Sequence, residues 1–330
     1  MNVSVLMPVF NNESTVQEAI YSILNQTMSK FELIVVDDGS TDRSCEVVSS
    51  IRDGRLRLLR NPGKGLAVAL NHGLREARGD FIVRMDADDR SVPIRLERQI
   101  GFLMNNPSVD LCGTHVRTFG AVEEELLMPE NHPEIAATLL FGTPFVHPTV
   151  AFRRSVPDEG FFYNEDFELA QDYELWARVV PRFRCANLPE FLLEMRRRGE
   201  HKEGSRYRER QKCYANEARS VLLDGLGVRL SGEELRAYRK VASKEFNLSD
   251  TDQRVVLGWG LRIIEELKGR YSTEGALREV VSSRLFWALS ESVSRKTIIG
   301  AVRDIAIMGG EYNIRLAKRT ARLVANALTS

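Results

Sequence analysis

Three carboxylates, Asp86, Asp88 and Asp89, stand within four positions at the end of a stretch that begins with the apolar run 81–83. An apolar run with β-branched residues is typical of a buried strand. Carboxylates gathered at a strand end repel one another and lose hydration, so a cation is expected between them. Oxygen ligands favour Mg²⁺ or Mn²⁺, normally shared with a phosphate. The alternative is a solvated acidic turn that caps the helix expected to begin near Pro93.

A second acidic pair, Asp37 and Asp38, follows another apolar run at 31–36. The alternation of strands and helices around both runs predicts a parallel sheet, in which ligands bind at the carboxyl ends of the strands. Neither G-x-G-x-x-G after the first strand nor G-x-x-x-x-G-K-[ST] occurs. The usual dinucleotide-binding and P-loop interpretations therefore fail, and the sheet presents carboxylates instead of a glycine-rich phosphate cradle.

Hydrophobic periodicity predicts the elements that position these acids. The predicted strands cover 3–10, 31–36, 56–59, 81–85, 109–113, 145–154 and 191–195. The predicted helices cover 16–24, 44–51, 66–77, 93–105 and 173–180, and several more follow over 206–330.

Composition limits the class of protein. A chain of 330 residues favours two units. Lys+Arg and Asp+Glu both number 46, which gives no indication of a nucleic-acid partner. The four cysteines form no C-x-x-C pair, which argues against a zinc site or a disulfide framework and favours a reducing compartment. The beginning of the sequence has no leader pattern, and no apolar stretch approaches 18 residues. We expect a cytoplasmic protein that does not span a membrane.

Four ordered motifs resemble the signatures of family 2 glycosyltransferases. They are Val5-Leu6-Met7-Pro8-Val9-Phe10-Asn11, Val35-Val36-Asp37-Asp38-Gly39-Ser40-Thr41-Asp42, Asp86-Ala87-Asp88-Asp89 and Glu168-Leu169-Ala170-Gln171-Asp172-Tyr173-Glu174-Leu175-Trp176. The resemblance implies a GT-A fold, with a mostly parallel central sheet and flanking helices, and a nucleotide-sugar donor. It also implies a divalent metal and an inverting single displacement. The catalytic domain would cover 1–205, with a nucleotide-sugar half at about 1–110 and an acceptor half at about 111–205. A helical region over 206–330 would follow.

The resemblance also assigns the donor-binding residues, which are Pro8, Val9, Phe10, Asp38, Lys64 and Asp86. The first three would line the base pocket, with Phe10 available for stacking, and Asp38 would accept a hydrogen bond from the base. Lys64 lies in a glycine-flanked loop, where a solvated surface lysine is the alternative.

For the metal, Mn²⁺ or Mg²⁺, the resemblance makes Asp88 the direct ligand and Asp86 an acid shared between ribose and metal. His201 is a third candidate ligand. The segment 196–205 around it is more charged than the family pattern and differently spaced, so it departs from that pattern. The arginines at 196–198 could contact a diphosphate, or they could form a solvated basic loop.

Inverting transfer needs a base on the acceptor hydroxyl, and a carboxylate at a helix start is the common solution. The resemblance assigns this role to Asp172, with Asp166 and Glu168 as alternatives close in sequence. His147 could face the acceptor or be a packed structural histidine. We expect Trp176 to belong to the core because it shares the apolar face of its helix.

The leading hypothesis is a metal-dependent transfer of a sugar from a nucleotide diphosphate, with UDP as the expected nucleotide, to an acceptor hydroxyl. Surface-polysaccharide biosynthesis, with a sugar or lipid-linked saccharide as acceptor, is the expected setting. The alternatives are a nucleotidyltransferase and a non-catalytic sugar-nucleotide-binding protein. The terminal segment 312–328 is a basic amphipathic helix by pattern. It could pack on a partner in a homo-oligomer, pack on its own chain, or contact the inner face of the membrane.

Overall fold

The computed structural model describes residues 2–61, 63–197, 205–245, 248–267 and 274–292. The candidate ligand His201 and the amphipathic segment 312–328 lie outside this described part. The backbone forms two compact units, one of 1–135 with 143–221, the other of 136–142 with the residues from 222 onward. The functional division predicted at residue 205 stays a prediction.

One sheet of nine strands forms the centre of the first unit. Its strands are β1 (Val3–Val9), β2 (Glu32–Asp37), β3 (Leu56–Arg60), β4 (Phe81–Arg84), β5 (Arg90–Ser91), β6 (Leu111–Gly120), β7 (Glu125–Leu126), β8 (Ala151–Arg153) and β9 (Cys185–Arg197). They lie in the order β3-β2-β1-β4-β8-β6-β9-β5, and β7 pairs with β6.

The helices follow in chain order. They are α1 (Val16–Leu24), α2 (Ser44–Ser50), α3 (Leu66–Glu76), α4 (Arg95–Asn105), α5 (His132–Leu139), α6 (Ser155–Asp158), α7 (Gln171–Val179), α8 (Ser205–Gly225), α9 (Gly232–Ala242), α10 (Asp250–Leu267) and α11 (Glu274–Ser292).

Pairing in the sheet is mixed. β1 lies parallel to both β2 and β4, β2 is parallel to β3, and β6 is parallel to β9. β8 runs antiparallel to β4 and β6. The predicted fold class is confirmed: a mixed α/β sheet of the GT-A type with flanking helices and a helical C-terminal part.

The strand predicted over 145–154 is shorter than expected. Residues His147–Thr149 form a 3₁₀ turn, and only Ala151–Arg153 pair as a strand. Pro148 explains the interruption because proline has no N–H to donate to a ladder. The turn is closed by the Thr149 N–H, which donates to the Val146 carbonyl at 2.9 Å.

The core lies between the sheet and its helices. Every residue of β1 is buried, and α1 buries one apolar face formed by Val16, Ala19, Ile20, Ile23 and Leu24. On α3, a Cβ at Gly73 would stand 2.0 Å from Leu6 Cδ1, so glycine is what lets this helix approach β1 closely.

The register of the parallel strands decides where the two acidic clusters lie. Val9, the last residue of β1, is opposite Asp37, the last residue of β2. Leu6 of β1 is opposite Arg84, the last residue of β4. Because carboxyl ends of parallel strands lie at the same edge of a sheet, both acidic clusters share that edge.

The second unit contains α9, α10 and α11. Ser231 caps α9, with its hydroxyl accepting from the Glu234 N–H while the Glu234 carboxylate accepts from the Ser231 N–H. Phe141, Tyr238 and Trp259 form an aromatic cluster, with the Tyr238 and Trp259 ring centroids 5.3 Å apart. Among the described residues, no helix combines the length and the apolar composition that crossing a membrane would need.

Candidate active site

A cleft of about 530 Å³ opens at the carboxyl edge of the first unit's sheet. It is lined by Pro8, Val9, Phe10, Asn12, Asp38, Leu66, Asp86, Ala87, Asp88, Arg196 and Arg197. Six of the residues assigned from the sequence to donor or metal binding therefore share one cavity. Lys64 is exposed and does not line the cleft, and His201 lies outside the described residues.

One wall of the cleft carries Phe10, whose side chain is 56% exposed. The next residue, Asn11, has φ +52°, a left-handed conformation that asparagine tolerates better than most residues. Its Oδ1 accepts from the Thr41 N–H at 2.8 Å, and its own N–H donates to Ser40 Oγ at 3.1 Å. The chain turns sharply after Phe10, and this turn leaves the ring available to a planar ligand.

The Asp38 carboxylate is held by donors from the loop that precedes α3. It accepts from Asn61 Nδ2 at 2.6 Å and from the Gly65 N–H at 2.9 Å. Gly65 has φ +112°, where a side chain would be strained. A carboxylate has about four lone-pair sites, so Asp38 keeps accepting capacity toward the cleft. Its neighbour Asp37 accepts from the Ser40 N–H at 3.1 Å.

The second acidic cluster also borders the cleft, which Asp86 and Asp88 line. Oxygens of Asp86, Asp88 and Asp89 lie within 4.8 Å of one another. Asp89 is 2% exposed, and its Oδ2 has no hydrogen-bond partner among the described residues. Burial, the Asp86 charge and, more weakly, that of Asp88 raise the pKa of Asp89 to about 8. Clustered carboxylates with an unpartnered buried oxygen fit a hard divalent cation.

Arg84 is a site residue that the sequence argument missed. It is 3% exposed, and its Nη2 lies 2.6 Å from Asp86 Oδ1. This ion pair, in which Arg84 is buried and Asp86 is partly exposed, holds one oxygen of Asp86 against the Arg84 guanidinium. The sequence contained an indication of this role, because Arg84 stands among the apolar residues of a predicted buried strand. An arginine in such a position needs an anionic partner.

Asp172 lies in the first turn of α7, which begins after Ala170 in a left-handed conformation with φ +54°. The side chain is half-buried, and burial raises its pKa, while the N–H of Tyr173 and the charge of Arg84 oppose that shift. The raised pKa brings the carboxyl closer to the range in which general bases work.

His147 and Tyr163 form a hydrogen-bonded pair next to this region, with His147 Nε2 and the Tyr163 hydroxyl 2.7 Å apart. Burial lowers the pKa of His147 well below its usual value, and burial raises that of Tyr163. Both side chains are therefore neutral at physiological pH. The ring of Trp176, which is buried as expected, lies 6.2 Å from that of His147.

The alternatives to Asp172 have different surroundings. Asp166 is exposed, and Glu168 is exposed and forms an ion pair with Arg210 of α8. Neither lines the cleft. Asp172 does not line it either, but its pKa responds to the charges of Arg84 and Asp86, which places it in the electrostatic surroundings of the site.

Comparisons with known proteins identify relatives of this chain. Residues 4–161 match the model of "Glycosyl transferase family 2". The chain is 37% identical over 204 residues to the putative glycosyltransferase EpsE of Bacillus subtilis, covering 59% of this chain and 72% of EpsE. It is 35% identical over 206 residues to the O-antigen biosynthesis glycosyltransferase WbnJ of Escherichia coli, covering 59% of this chain and 79% of WbnJ.

Among solved structures, residues 1–349 of S. aureus TarS in complex with UDP-GlcNAc superpose with a TM-score of 0.60 at 20% identity. The match covers 98% of this chain and 92% of that one. At this identity the likeness shows the fold alone.

Fold, cleft and relatives together define an enzyme of the glycosyltransferase class. The chain belongs to glycosyltransferase family 2. Family membership favours transfer of a sugar over the nucleotidyltransferase and the non-catalytic binding protein that the sequence left open.

Proposed function

We propose that this protein is a metal-dependent, inverting glycosyltransferase that moves a sugar from a UDP-sugar to an acceptor hydroxyl in cell-surface polysaccharide biosynthesis. One observation carries the proposal. A single cleft is lined by Phe10 and Asp38 and also by Asp86 and Asp88, which cluster with the neighbouring Asp89. An exposed ring with a neighbouring acceptor suits a base, and clustered carboxylates suit a metal-bound diphosphate.

The donor end of the proposal uses residues that line the cleft. Pro8, Val9 and Phe10 line the pocket for the uracil ring, and Phe10 stacks on it. The remaining lone pairs of Asp38 accept a hydrogen bond from the imide N–H of the ring. Asp86 lines the same cleft and pairs with Arg84 through one oxygen, so its other oxygen can accept from a ribose hydroxyl. Lys64 and His201 stay predictions as nucleotide and metal contacts.

Mn²⁺ or Mg²⁺ would be held by Asp88 and Asp86, with Asp89 as a supporting acid. When bound, the cation supplies positive charge to the diphosphate leaving group. The protein's own contribution is to hold three carboxylates close together against their repulsion, which Arg84 relieves on one side. The carboxylates are then already placed when the charged donor enters, which limits reorganisation.

At the acceptor end, Asp172 takes the proton from the acceptor hydroxyl as that oxygen attacks the sugar carbon from the face opposite the diphosphate. This direct displacement inverts the configuration at that carbon. Because burial raises the Asp172 pKa, its carboxylate is a stronger base than an exposed one. The nearby Arg84 charge opposes this rise in pKa and so favours the ionised carboxylate that acts as the base.

The acceptor class rests on the relatives. WbnJ is named for O-antigen biosynthesis, and TarS is described with UDP-GlcNAc. These names support a UDP-sugar donor and a sugar or lipid-linked saccharide acceptor for this chain. Work at the cytoplasmic side of a membrane, with peripheral contact or a homo-oligomer formed through the C-terminal helices, belongs to the same proposal.

The test is transfer from UDP-, GDP- and dTDP-sugars in the presence of Mn²⁺ or Mg²⁺, with Asp172→Asn as the key variant. The expected result is metal-dependent turnover of a UDP-sugar that falls about 100-fold or more in Asp172→Asn while UDP affinity stays. Glu168→Gln is the matched control, because Glu168 is an exposed carboxylate near the same helix, and it should keep its activity. No binding of any of the three nucleotides would contradict the proposal.

A further inference from the structure

Arg196 and Arg197 both line the cleft beside the acidic cluster, so both could be taken for diphosphate ligands. Their contacts differ. Arg196 Nε donates to the Asp88 carbonyl oxygen at 2.9 Å, and its backbone N–H donates to Asp89 Oδ1 at 2.8 Å. Strand β9 therefore holds the acidic turn through both the backbone and the side chain of one residue.

The Nη2 group and one face of the Arg196 guanidinium are also engaged. Its Nη2 pairs with Glu18 Oε2 of α1, and its Cζ lies 4.5 Å from the ring centroid of Phe119 on β6. Arg90 of β5 lies on the same ring at 4.2 Å and pairs with the other oxygen of Glu18 at 2.6 Å. Two guanidiniums, one carboxylate and one ring thus tie α1, β5, β6 and β9 together around the acidic turn.

Arg197 has no part in this arrangement. Its Nη2 pairs with Glu124 at 3.1 Å, and its side chain is 44% exposed against 24% for Arg196. The register explains the difference, because Arg196 is opposite Phe119 whereas Arg197 is opposite Gly120. Alternation along a strand sends neighbouring side chains to opposite faces.

We propose that Arg196 is a positioning residue that holds the Asp88–Asp89 turn through Glu18 and Phe119, and that it is not a diphosphate ligand. The inference rests on the proposed function, since it assigns a role within the same metal site. Its physical reason is that the Nε and Nη2 donors and one face of the guanidinium are already used inside the protein. A diphosphate contact through Nε or Nη2 would require these bonds to break, whereas holding the turn requires them to stay.

Glu18 makes the proposal testable because it does not line the cleft. The variants are E18Q, R196M and R196K, with R197M as the matched control on the same strand. Two quantities are measured in the full chain: amide hydrogen exchange of the peptide covering 85–92, and the Mn²⁺ concentration that half-saturates UDP binding. Thermal melting of each variant confirms that it is folded.

The positioning role predicts faster exchange over 85–92 in E18Q, R196M and R196K, and no change in R197M. It predicts a rise of about 10-fold in the half-saturating Mn²⁺ concentration for R196M, the usual scale for groups that orient metal ligands. E18Q should show a rise in the same direction. R196K should be as impaired as R196M, because an ammonium keeps the charge but cannot make the Asp88 and Glu18 contacts together.

A diphosphate ligand predicts the opposite pattern. E18Q would leave UDP binding unchanged or tighter, R196K would retain most of it, and exchange over 85–92 would not respond. Any of these results in folded protein overturns the positioning role. If the wild type shows no Mn²⁺-dependent UDP binding, the proposed function fails, and the exchange data alone then decide whether Arg196 holds the turn.

Discussion

The two acidic clusters lie at the same edge of one sheet and differ in how their charges are satisfied. At the end of β2, protein donors meet each carboxylate: Ser40 N–H for Asp37, and Asn61 and Gly65 for Asp38. At the end of β4, Asp89 Oδ2 is buried without a partner among the described residues, and the pKa of Asp89 rises to about 8. Similar sequence motifs therefore serve different purposes.

This difference shows what a carboxylate cluster needs before it favours a metal. Hydrogen bonds from Ser40, Asn61 and Gly65 tie the first cluster to the neighbouring loops, and Asp38 keeps lone pairs for a neutral donor group. In the second cluster the buried Arg84 pairs with Asp86, while a buried oxygen of Asp89 has no hydrogen-bond partner among the described residues. A divalent ion is the simplest addition that would complete it.

The largest expected effect comes from Asp86→Ala, which leaves Arg84 buried without its carboxylate. Removing one partner of a buried ion pair costs about 3–5 kcal/mol of folding free energy. We expect the midpoint of chemical unfolding to fall accordingly, with Asp88→Ala as the milder control. Adding Arg84→Met to Asp86→Ala should recover much of the loss, since replacing both charges removes the penalty. No recovery would mean that the pair is not the source of the effect.

For metal-dependent donor binding, Asp88→Ala should have a larger effect than Asp86→Ala, which is the reverse of the order expected for stability. Asp88→Ala is expected to lose about 2–5 kcal/mol of UDP binding in the presence of Mn²⁺, because a charge-assisted contact disappears. Asp86→Ala should lose less, since Asp86 shares its charge with Arg84. Calorimetry with UDP and Mn²⁺ measures both variants. Equal and small losses would support a solvated capping turn instead of a metal site.

An intermediate effect is expected in the pH dependence of stability without metal. The folded-state pKa of Asp89, about 8, lies above its ordinary value of 3.8. Its contribution to stability is therefore fully present below about pH 4 and is lost as the pH rises toward 8. Thermal melting in EDTA from pH 5 to 8 should show this decline, and Asp89→Asn should flatten it. A profile that is the same in Asp89→Asn would contradict the raised pKa.

The smallest effect is expected in the first cluster. Asp38→Asn keeps one carbonyl acceptor for Gly65 N–H and loses only charge assistance, worth about 1 kcal/mol. Amide exchange at 63–66 should increase modestly, and the Mn²⁺ dependence of UDP binding should keep its midpoint. If Asp38→Asn shifted the half-saturating Mn²⁺ concentration as much as Asp88→Ala does, the two clusters would not differ in their role toward the metal.

Much of the fold could be predicted from the sequence, because buried parallel strands are continuous apolar runs with sharp ends. The runs at 3–10, 31–36 and 81–85 all correspond to strands, and helical spacing identified α1, α3 and α4. The strand predicted over 145–154 was largely wrong, since its apolar residues belong to a turn and three strand positions. An apolar pattern signals burial, and burial alone does not decide between strand and turn.

Local patterns identified the acidic residues of the site but not the contacts made by Arg84 and Arg196. Arg84 is two positions from Asp86, yet its burial depends on β4 lying between β1 and β8. Arg196 meets Glu18 across 178 positions of sequence. Pairs this distant form only when the sheet brings separate strands together, so no local pattern indicates them.

The most direct test of the metal-dependent donor site is a calorimetric titration of the wild-type chain with UDP, in excess Mn²⁺ and then in EDTA. The wild-type chain is expected to bind UDP in excess Mn²⁺ and to lose that binding in EDTA. Asp88→Ala is expected to show the same loss of UDP binding even when Mn²⁺ is present. Tight UDP binding that survives EDTA and is unchanged in folded Asp88→Ala would contradict this expectation.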